Sequence, residues 1–396
     1  MFEKLSLMPC DPILGVMAEY RADPAPHKID LSVGVYKDES GHTPVMAAVK
    51  KAEALLLEQE NTKSYLSPLG SPEYNASMLE LILGREHPAL LANRARCIQT
   101  TGGCGALRVA AEFILRANPE ATIWVSDPTW GNHVPLLGGA GVNLKTYPYY
   151  NEETHSLDFN AMYEALEDVP AGDLVLLHGC CHNPTGADLT EEQWAQVAGL
   201  AQANGFTPFV DVAYQGLGDG LEEDAVGLRI MADAVPEMLI AASCSKNFGL
   251  YRERTGALIV MGETPEQADA SLSHLATVTR GLYSMPPSHG GAIVETILTN
   301  AELNKLWRDE LAEVRSRVNH MRSALVSSLR DAGVDRDFSF ITQQKGMFSF
   351  LGITPEQVLK IRKEHSVYLL GSSRINVAGI TPGNVGALAQ AIKAVL

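Results

Sequence analysis

Residues 238–250 read MLIAASCSKNFGL. Five apolar residues, Met238–Ala242, run without a break into a small polar patch and then a lysine, Lys246. A run this short and this continuously apolar fits a strand buried on both faces, as a parallel sheet requires. Four further runs have the same character: Thr122–Val125, Leu174–Leu177, Phe209–Val212 and Ala257–Val260. Stretches with helical periodicity separate most of them, among them Glu191–Ala203 and Pro265–Leu275. Strands alternating with helices predict an α/β fold: a large three-layer domain whose mostly parallel sheet is covered on both faces.

After Asn300 the pattern changes. Leu303–Leu329 reads as one long amphipathic helix, or two, rich in Arg and Glu. Phe338–Phe350, a helix over Thr354–Glu364, the run Val367–Ala378 and a last helix over Val385–Val395 predict a smaller α+β domain. The boundary is set near residue 310. The large domain is then 41–310, and 1–40 joins 311–396 in the small one.

The chain has 396 residues, 46% hydrophobic and 20% charged, with a formal net charge of -16. Such length and composition suit two folded domains. The acidic balance argues against a nucleic-acid partner, which needs a positive footprint. No apolar stretch is long enough to span a membrane. The start, MFEKLSLMPCDPILG, has no basic leader with an apolar core. Six cysteines (Cys10, Cys97, Cys104, Cys180, Cys181 and Cys244) follow no disulfide framework, so a reducing cytoplasm is expected.

Four groups of residues can carry chemistry. Thr100–Gly103 is a glycine-rich turn ahead of the helix-like run Ala106–Arg116. It is either a packing turn or an anion site, because a helix start exposes free N–H groups. Lys246, at the end of its strand, is either a solvated end-cap or a desolvated amine reactive toward carbonyls. Asp211, inside Phe209–Val212 and followed by Tyr214, is either a helix cap or surface carboxylate, or a buried group that is costly without a cationic partner. Asn183-Pro184-Thr185-Gly186 reads as an ordinary turn after another strand. Arg254, Arg280 and Arg374 could each clamp a carboxylate or phosphate through the fixed fork of donors, or lie on the surface. His178, Cys180, Cys181 and His182 crowd together, but neighbours on a strand point to opposite faces. They read as core thiols and polar strand-end histidines, and no metal is expected.

With these motifs in order, the chain resembles the aspartate and aromatic-amino-acid aminotransferases, pyridoxal-phosphate enzymes of fold type I. The resemblance runs from Asp11-Pro12-Ile13-Leu14-Gly15 to the C-terminal helix. It is most specific at Ser243-Cys244-Ser245-Lys246 and the following NFGLYRER, and is supported by HGCCHNPTG at 178–186, DVAYQG at 211–216 and SRINVAG at 373–379. It implies that Lys246 bonds covalently to pyridoxal 5'-phosphate, that Asp211 partners the ring nitrogen, and that Asn183 and Tyr214 hydrogen-bond the ring hydroxyl oxygen. Gly103, Cys104, Ser243 and Arg254 match the phosphate cup, and Tyr65 matches a tyrosine that reaches the other subunit's phosphate. Trp130 matches the aromatic stacked on the ring, with His133 behind it. Arg374, with Gly34 and Asn183 close by, matches the clamp on the α-carboxylate, and Phe348 a pocket-lining residue near it. Arg280 matches an arginine that crosses a dimer interface to a side-chain carboxylate.

The implied reaction moves the α-amino group of aspartate, phenylalanine or tyrosine to 2-oxoglutarate by a ping-pong cycle, in a homodimer with shared active sites. Some positions depart from the pattern. Cys104 replaces a hydroxyl residue, and a thiol is a poor donor. Met285 and Ser64 replace asparagines common in the aspartate branch, which hints at tolerance of aromatic side chains. A lyase or decarboxylase acting on a dicarboxylic amino acid with the same cofactor would keep Lys246, Asp211 and Arg254. The pair Arg280 and Arg374 favours transamination between dicarboxylates.

Overall fold

A computed structural model describes residues 1–8 and 12–396; Cys10 and Asp11, named above, lie outside the described residues. The chain divides into two compact units, Pro44–Ser316 and Met1–Thr43 with Arg317–Leu396. The division falls a few residues beyond the expected 40 and 310. At the second crossing the helix Ala301–Asp331 runs through it unbroken. Periodicity carries no boundary signal inside one continuous amphipathic helix.

Seven strands of the larger unit form one sheet. In chain order they are β1 (Ala95–Thr101), β2 (Thr122–Asp127), β3 (Asn143–Pro148), β4 (Leu174–His178), β5 (Thr207–Val212), β6 (Met238–Ser243) and β7 (Thr255–Met261). The spatial order is β1-β7-β6-β5-β4-β2-β3. β3, β2, β4, β5 and β6 pair in parallel, whereas β7 is antiparallel to both β1 and β6. The apolar runs read from the sequence are the five strands β2, β4, β5, β6 and β7; every residue of β6 and β7 is buried. β1 and β3 have no counterpart among those runs. They are the two edges of the sheet, and their sequences, ARCIQTT and NLKTYP, carry the polar residues that edges tolerate.

The helix α1 (Gly102–Ala117) follows β1 and buries Leu107, Val109, Ala110 and Ile114. These pack with Ile98, Ile123, Leu176, Phe209, Ala241 and Leu258 from the sheet into one core. Because β7 is antiparallel, it starts at the same edge where β1, β4, β5 and β6 end. The carboxyl ends of parallel strands are where open α/β sheets bind ligands.

In the smaller unit, β8 (Phe348–Phe350) pairs antiparallel with β9 (Arg374–Asn376), setting Phe350 opposite Arg374 and Phe348 opposite Asn376. Ile29–Asp30 pairs in parallel with Val367–Tyr368, which ties the first residues of the chain to its last eighty. The segment 338–350 resolves into a short helix, Phe340–Gln343, and β8. Among the described residues, no helix is long and apolar enough to cross a membrane.

Candidate active site

At the carboxyl edge of the large sheet lies a cavity of about 210 Å³. Its wall includes Gly103, Cys104, Trp130, His178, Asn183, Asp211, Tyr214, Ser243, Lys246 and Arg254. Nine of the residues singled out from sequence therefore meet in one place, together with His178, which had been read only as a polar strand end.

Local structure explains each position. Gly102 has φ +72°, a left-handed conformation suited to glycine, and a Cβ there would lie 2.6 Å from the Arg254 guanidinium. The turn therefore opens α1 directly onto that arginine. Arg254 is itself left-handed, at φ +53°, and Nη1 donates to the Tyr251 carbonyl at 3.0 Å. This geometry folds the side chain back beside α1. Arg254, Ser243 and the first-turn N–H groups of α1 make a concave, electropositive end to the cavity. Cys104 sits in that first turn, and its Sγ accepts from Asn132 Nδ2 at 3.8 Å.

Lys246 follows β6 in a loop braced from beneath. Trp307, fully buried, donates Nε1–H to the Asn247 carbonyl at 2.8 Å and stacks on Phe248 with centroids 4.3 Å apart. Lys246 Nζ lies 5.2 Å from the centroid of the Tyr214 ring, and the Tyr214 hydroxyl accepts from Asn183 Nδ2 at 3.3 Å.

Asp211 is the buried carboxylate of the wall, 8% exposed. Its Oδ2 lies 2.9 Å from His133 Nε2. Burial pushes its carboxyl up, but the His133 hydrogen bond and the neighbouring basic groups, Lys246 among them, outweigh this and hold it below the ordinary carboxylate value. Behind it the donors run one way. The Asn183 backbone N–H can only donate, and it meets His178 Nδ1 at 3.4 Å. Burial, then the proximity of His133, holds His178 down at about 3 despite Asp211, so the ring is neutral. Its proton is then on Nε2 and is donated to Thr129 Oγ1 at 3.2 Å. Thr129 Oγ1 also meets His133 Nδ1 at 2.8 Å, and His133 Nε2–H donates to Asp211. The Trp130 ring meets the His133 ring edge-on at 5.2 Å.

A neutral buried histidine has a pH signature. The unfolded chain protonates His178 below its ordinary 6.5, whereas the folded chain resists until about 3. Between these values the unfolded state binds the extra proton, so stability falls as pH falls, by up to about 1.4 kcal/mol per pH unit for one group. His182, pushed well down by burial, adds to the slope. His178→Gln is expected to flatten the pH dependence of the urea midpoint between pH 6 and 4. An unchanged slope would show that His178 is charged in the folded protein.

The remaining expected residues are not among those that line the cavity. Gly34, Phe348 and Arg374 belong to the smaller unit and meet there: the Arg374 guanidinium lies 4.3 Å from the Phe348 ring centroid, and a Cβ on Gly34 would lie 2.6 Å from Phe348 Cζ. Tyr65 and Arg280 are not brought to the cavity. Tyr65 is 92% exposed, and the exposed Arg280 donates to the Ser284 hydroxyl. Their loops touch, with the Leu66 N–H 3.2 Å from Met285 Sδ.

The histidine–cysteine cluster does not converge. His182 turns to the hydroxyls of Ser126 and Thr185. Cys180 and Cys181 approach Asp224, with ligand atoms within 4.8 Å of one another. Asp224, however, accepts the backbone N–H groups of Gly216, Gly218 and Asp219 and so staples the loop after Tyr214. A hydrogen bond with Cys181 pulls the Cys180 thiol down, but burial and the carboxylates of Asp224, Asp188 and Asp211 push it up to about 11. A protonated thiol is a poor metal ligand.

Comparison with known proteins agrees with this geometry. Residues 26–392 match the family model described as aminotransferase class I and II. The chain is 49% identical over 396 residues to the aspartate aminotransferase of Salmonella typhi, covering 100% of both chains. It is 50% identical over 383 residues to the aromatic-amino-acid aminotransferase of Paracoccus denitrificans, covering 96% of each. The crystal structure of the aromatic-amino-acid aminotransferase of Burkholderia pseudomallei, covalently bound to pyridoxal phosphate, superposes with a TM-score of 0.98 at 43% identity, covering 100% of this chain and 99% of that one. The chain belongs to the class I and II aminotransferases, within the group of aspartate and aromatic-amino-acid enzymes.

Proposed function

We propose that the protein is a pyridoxal-phosphate-dependent aminotransferase that moves the α-amino group of aspartate, aromatic amino acids or both to 2-oxoglutarate by a ping-pong cycle. The observation that carries this reading is one cavity that sets a buried, ionised Asp211, the Lys246 amine and an electropositive cup side by side. The residues fit the cofactor. A phosphate suits Gly103, Cys104, Ser243, Arg254 and the first turn of α1. Trp130 offers a flat wall, and Asn183 with Tyr214 suits a ring oxygen. Lys246 is the covalent attachment point.

When bound, pyridoxal phosphate supplies the electron sink for the carbanion formed at the substrate Cα. Asp211 keeps a negative charge on the wall, which favours a protonated ring nitrogen beside it. Lys246 Nζ takes the Cα proton and gives it back one position away. Arg374, in the smaller unit, is the residue suited to hold the α-carboxylate through paired charge-assisted hydrogen bonds. The loop bracing by Trp307 limits the wandering of Lys246.

A two-fold dimer is part of this reading. Tyr65 and Arg280 are exposed and do not line the cavity of their own chain, as suits residues serving a second copy. Arg280 then meets the side-chain carboxylate of aspartate or 2-oxoglutarate, and Tyr65 the phosphate. A cytoplasmic setting is also proposed, supported by five described cysteines that are all free.

A single half-reaction tests the proposal. The protein loaded with pyridoxal phosphate is mixed in turn with aspartate, phenylalanine and tyrosine, and the cofactor absorbance is followed. Conversion by at least one, reversed by 2-oxoglutarate, is expected. No spectral change with any of the three would refute the assignment.

A further inference from the structure

Arg322 is the one arginine in the second half of the helix Ala301–Asp331 that the smaller unit encloses almost completely, at 1% exposure. Its Nη1 donates to the Ile341 carbonyl at 2.9 Å. Its Nη2 faces three more carbonyls, those of Lys345 at 3.0 Å, Gly346 at 2.7 Å and Phe348 at 2.7 Å. A buried guanidinium is costly to desolvate, and an apolar side chain would fill the same space. What the guanidinium adds is a rigid planar fork of donors, here closed on the backbone of one short stretch.

That stretch ends on Phe348, the first residue of β8. The Met347 carbonyl accepts from Val377 N–H at 2.7 Å, and Phe348 pairs with Asn376 across β9. The Phe348 ring is the surface on which the Arg374 guanidinium lies and the surface against which Gly34 packs without a side chain. Arg374 Nη2 is tied on another side to the Ser32 carbonyl at 2.7 Å. Asn376 fixes the flanking backbone by donating to the carbonyls of Val33 and Val35. One arginine thus fixes the main chain of the residue that supports another.

We infer that Arg322 is a positioning residue for α-carboxylate recognition: by holding the Phe348 backbone it sets the plane of the Arg374 guanidinium. The inference rests on the reading of Arg374 as the carboxylate clamp. It predicts a loss shared by all amino-acid substrates, because all carry the α-carboxylate, and no change at the cofactor cavity, which is built from the other unit.

The test is a double-mutant cycle on the cofactor-loaded enzyme with Arg322→Lys, Arg374→Ala and the double variant. Dissociation constants for aspartate and phenylalanine come from the concentration dependence of the half-reaction. Cofactor affinity comes from absorbance titration, and thermal midpoints are recorded in parallel. Arg322→Lys is expected to weaken both amino acids alike, between about tenfold and a hundredfold, and to leave cofactor affinity unchanged. In the Arg374→Ala background it should weaken them by less than about twofold, the mark of two residues acting as one unit.

Equal losses in both backgrounds, an unchanged substrate affinity, or a parallel loss of cofactor affinity would each overturn the inference. If Arg374→Ala alone changed nothing, the clamp reading would fall, and this inference with it. If Arg322→Lys alone changed nothing while Arg374→Ala was severe, only the inference would fall. Phe348→Leu leaves Arg322 and its carbonyls in place, and decides the matter should Arg322→Lys not fold. The same uniform loss supports the inference, and wild-type affinity overturns it.

Discussion

Lys246→Ala is expected to lower transamination by at least about 10⁴-fold, the upper range for a positioned acid–base group, because the same amine would also be lost as the attachment point. The fold should survive. Lys246 sits in a loop braced by Trp307 and Phe248, so thermal stability is expected within a few degrees of the parent. The cup of Ser243, Arg254 and α1 is untouched, and the variant should still bind pyridoxal phosphate, without a covalent link. Turnover near the parental rate would remove Lys246 from the chemistry. Loss of folding would mean that its role is structural.

Asp211→Asn has the second-largest expected effect. Asparagine keeps the shape and can still accept from His133 Nε2–H, but it removes the negative charge. Breaking the buried charge pair proposed between Asp211 and a protonated ring nitrogen costs roughly 3–5 kcal/mol, which corresponds to about a hundredfold to several thousandfold in rate. Activity with aspartate and with phenylalanine should fall alike, because in the proposed function the carboxylate serves the cofactor ring and not the substrate side chain. There is also an acid signature. The folded Asp211 carboxyl lies below its ordinary 3.8, so the folded chain binds fewer protons than the unfolded one as pH drops through that window. Its contribution to stability is therefore complete above pH 3.8 and lost below it. The variant should lack that contribution at neutral pH and show a flatter acid limb in urea titrations. A parental rate would show that charge at position 211 is irrelevant.

The features legible in the sequence share a physical reason. A lysine or aspartate at the end of a buried apolar run is expensive unless it is used, so Lys246 and Asp211 stand out in their own segments. The five inner strands were legible because burial on both faces leaves a continuous apolar run, and the edges β1 and β3 were not, because their polar residues look like loop. His178 was read as a polar strand end, although it is part of the wall. Its role depends on β4 lying beside β5 with His178 opposite Asp211, and on Thr129 arriving from a third segment. Sheet register brings these together, and no spacing in the sequence records it. Arg322 was hidden for another reason. It lies among Arg308, Arg315, Arg317 and Arg330 on one long helix, and only the path of residues 341–348 around it distinguishes it from its neighbours.

The antiparallel strand β7 bears on how the chain comes to be made. β1 is an edge whose sole neighbour in the sheet is β7, and β7 is the last of the seven strands to leave the ribosome. A nascent chain that has reached Ser243 already holds the whole parallel block. The turn that carries Gly103 and Cys104 still has no strand joining it to Ser243, and Arg254 has not been made. Such closure of distant segments is slow compared with local structure. The proposed phosphate cup is complete only once β7 lies between β1 and β6 and Arg254 stands beside the turn at Gly102. A cofactor that binds only this completed cup stabilises the finished sheet by mass action.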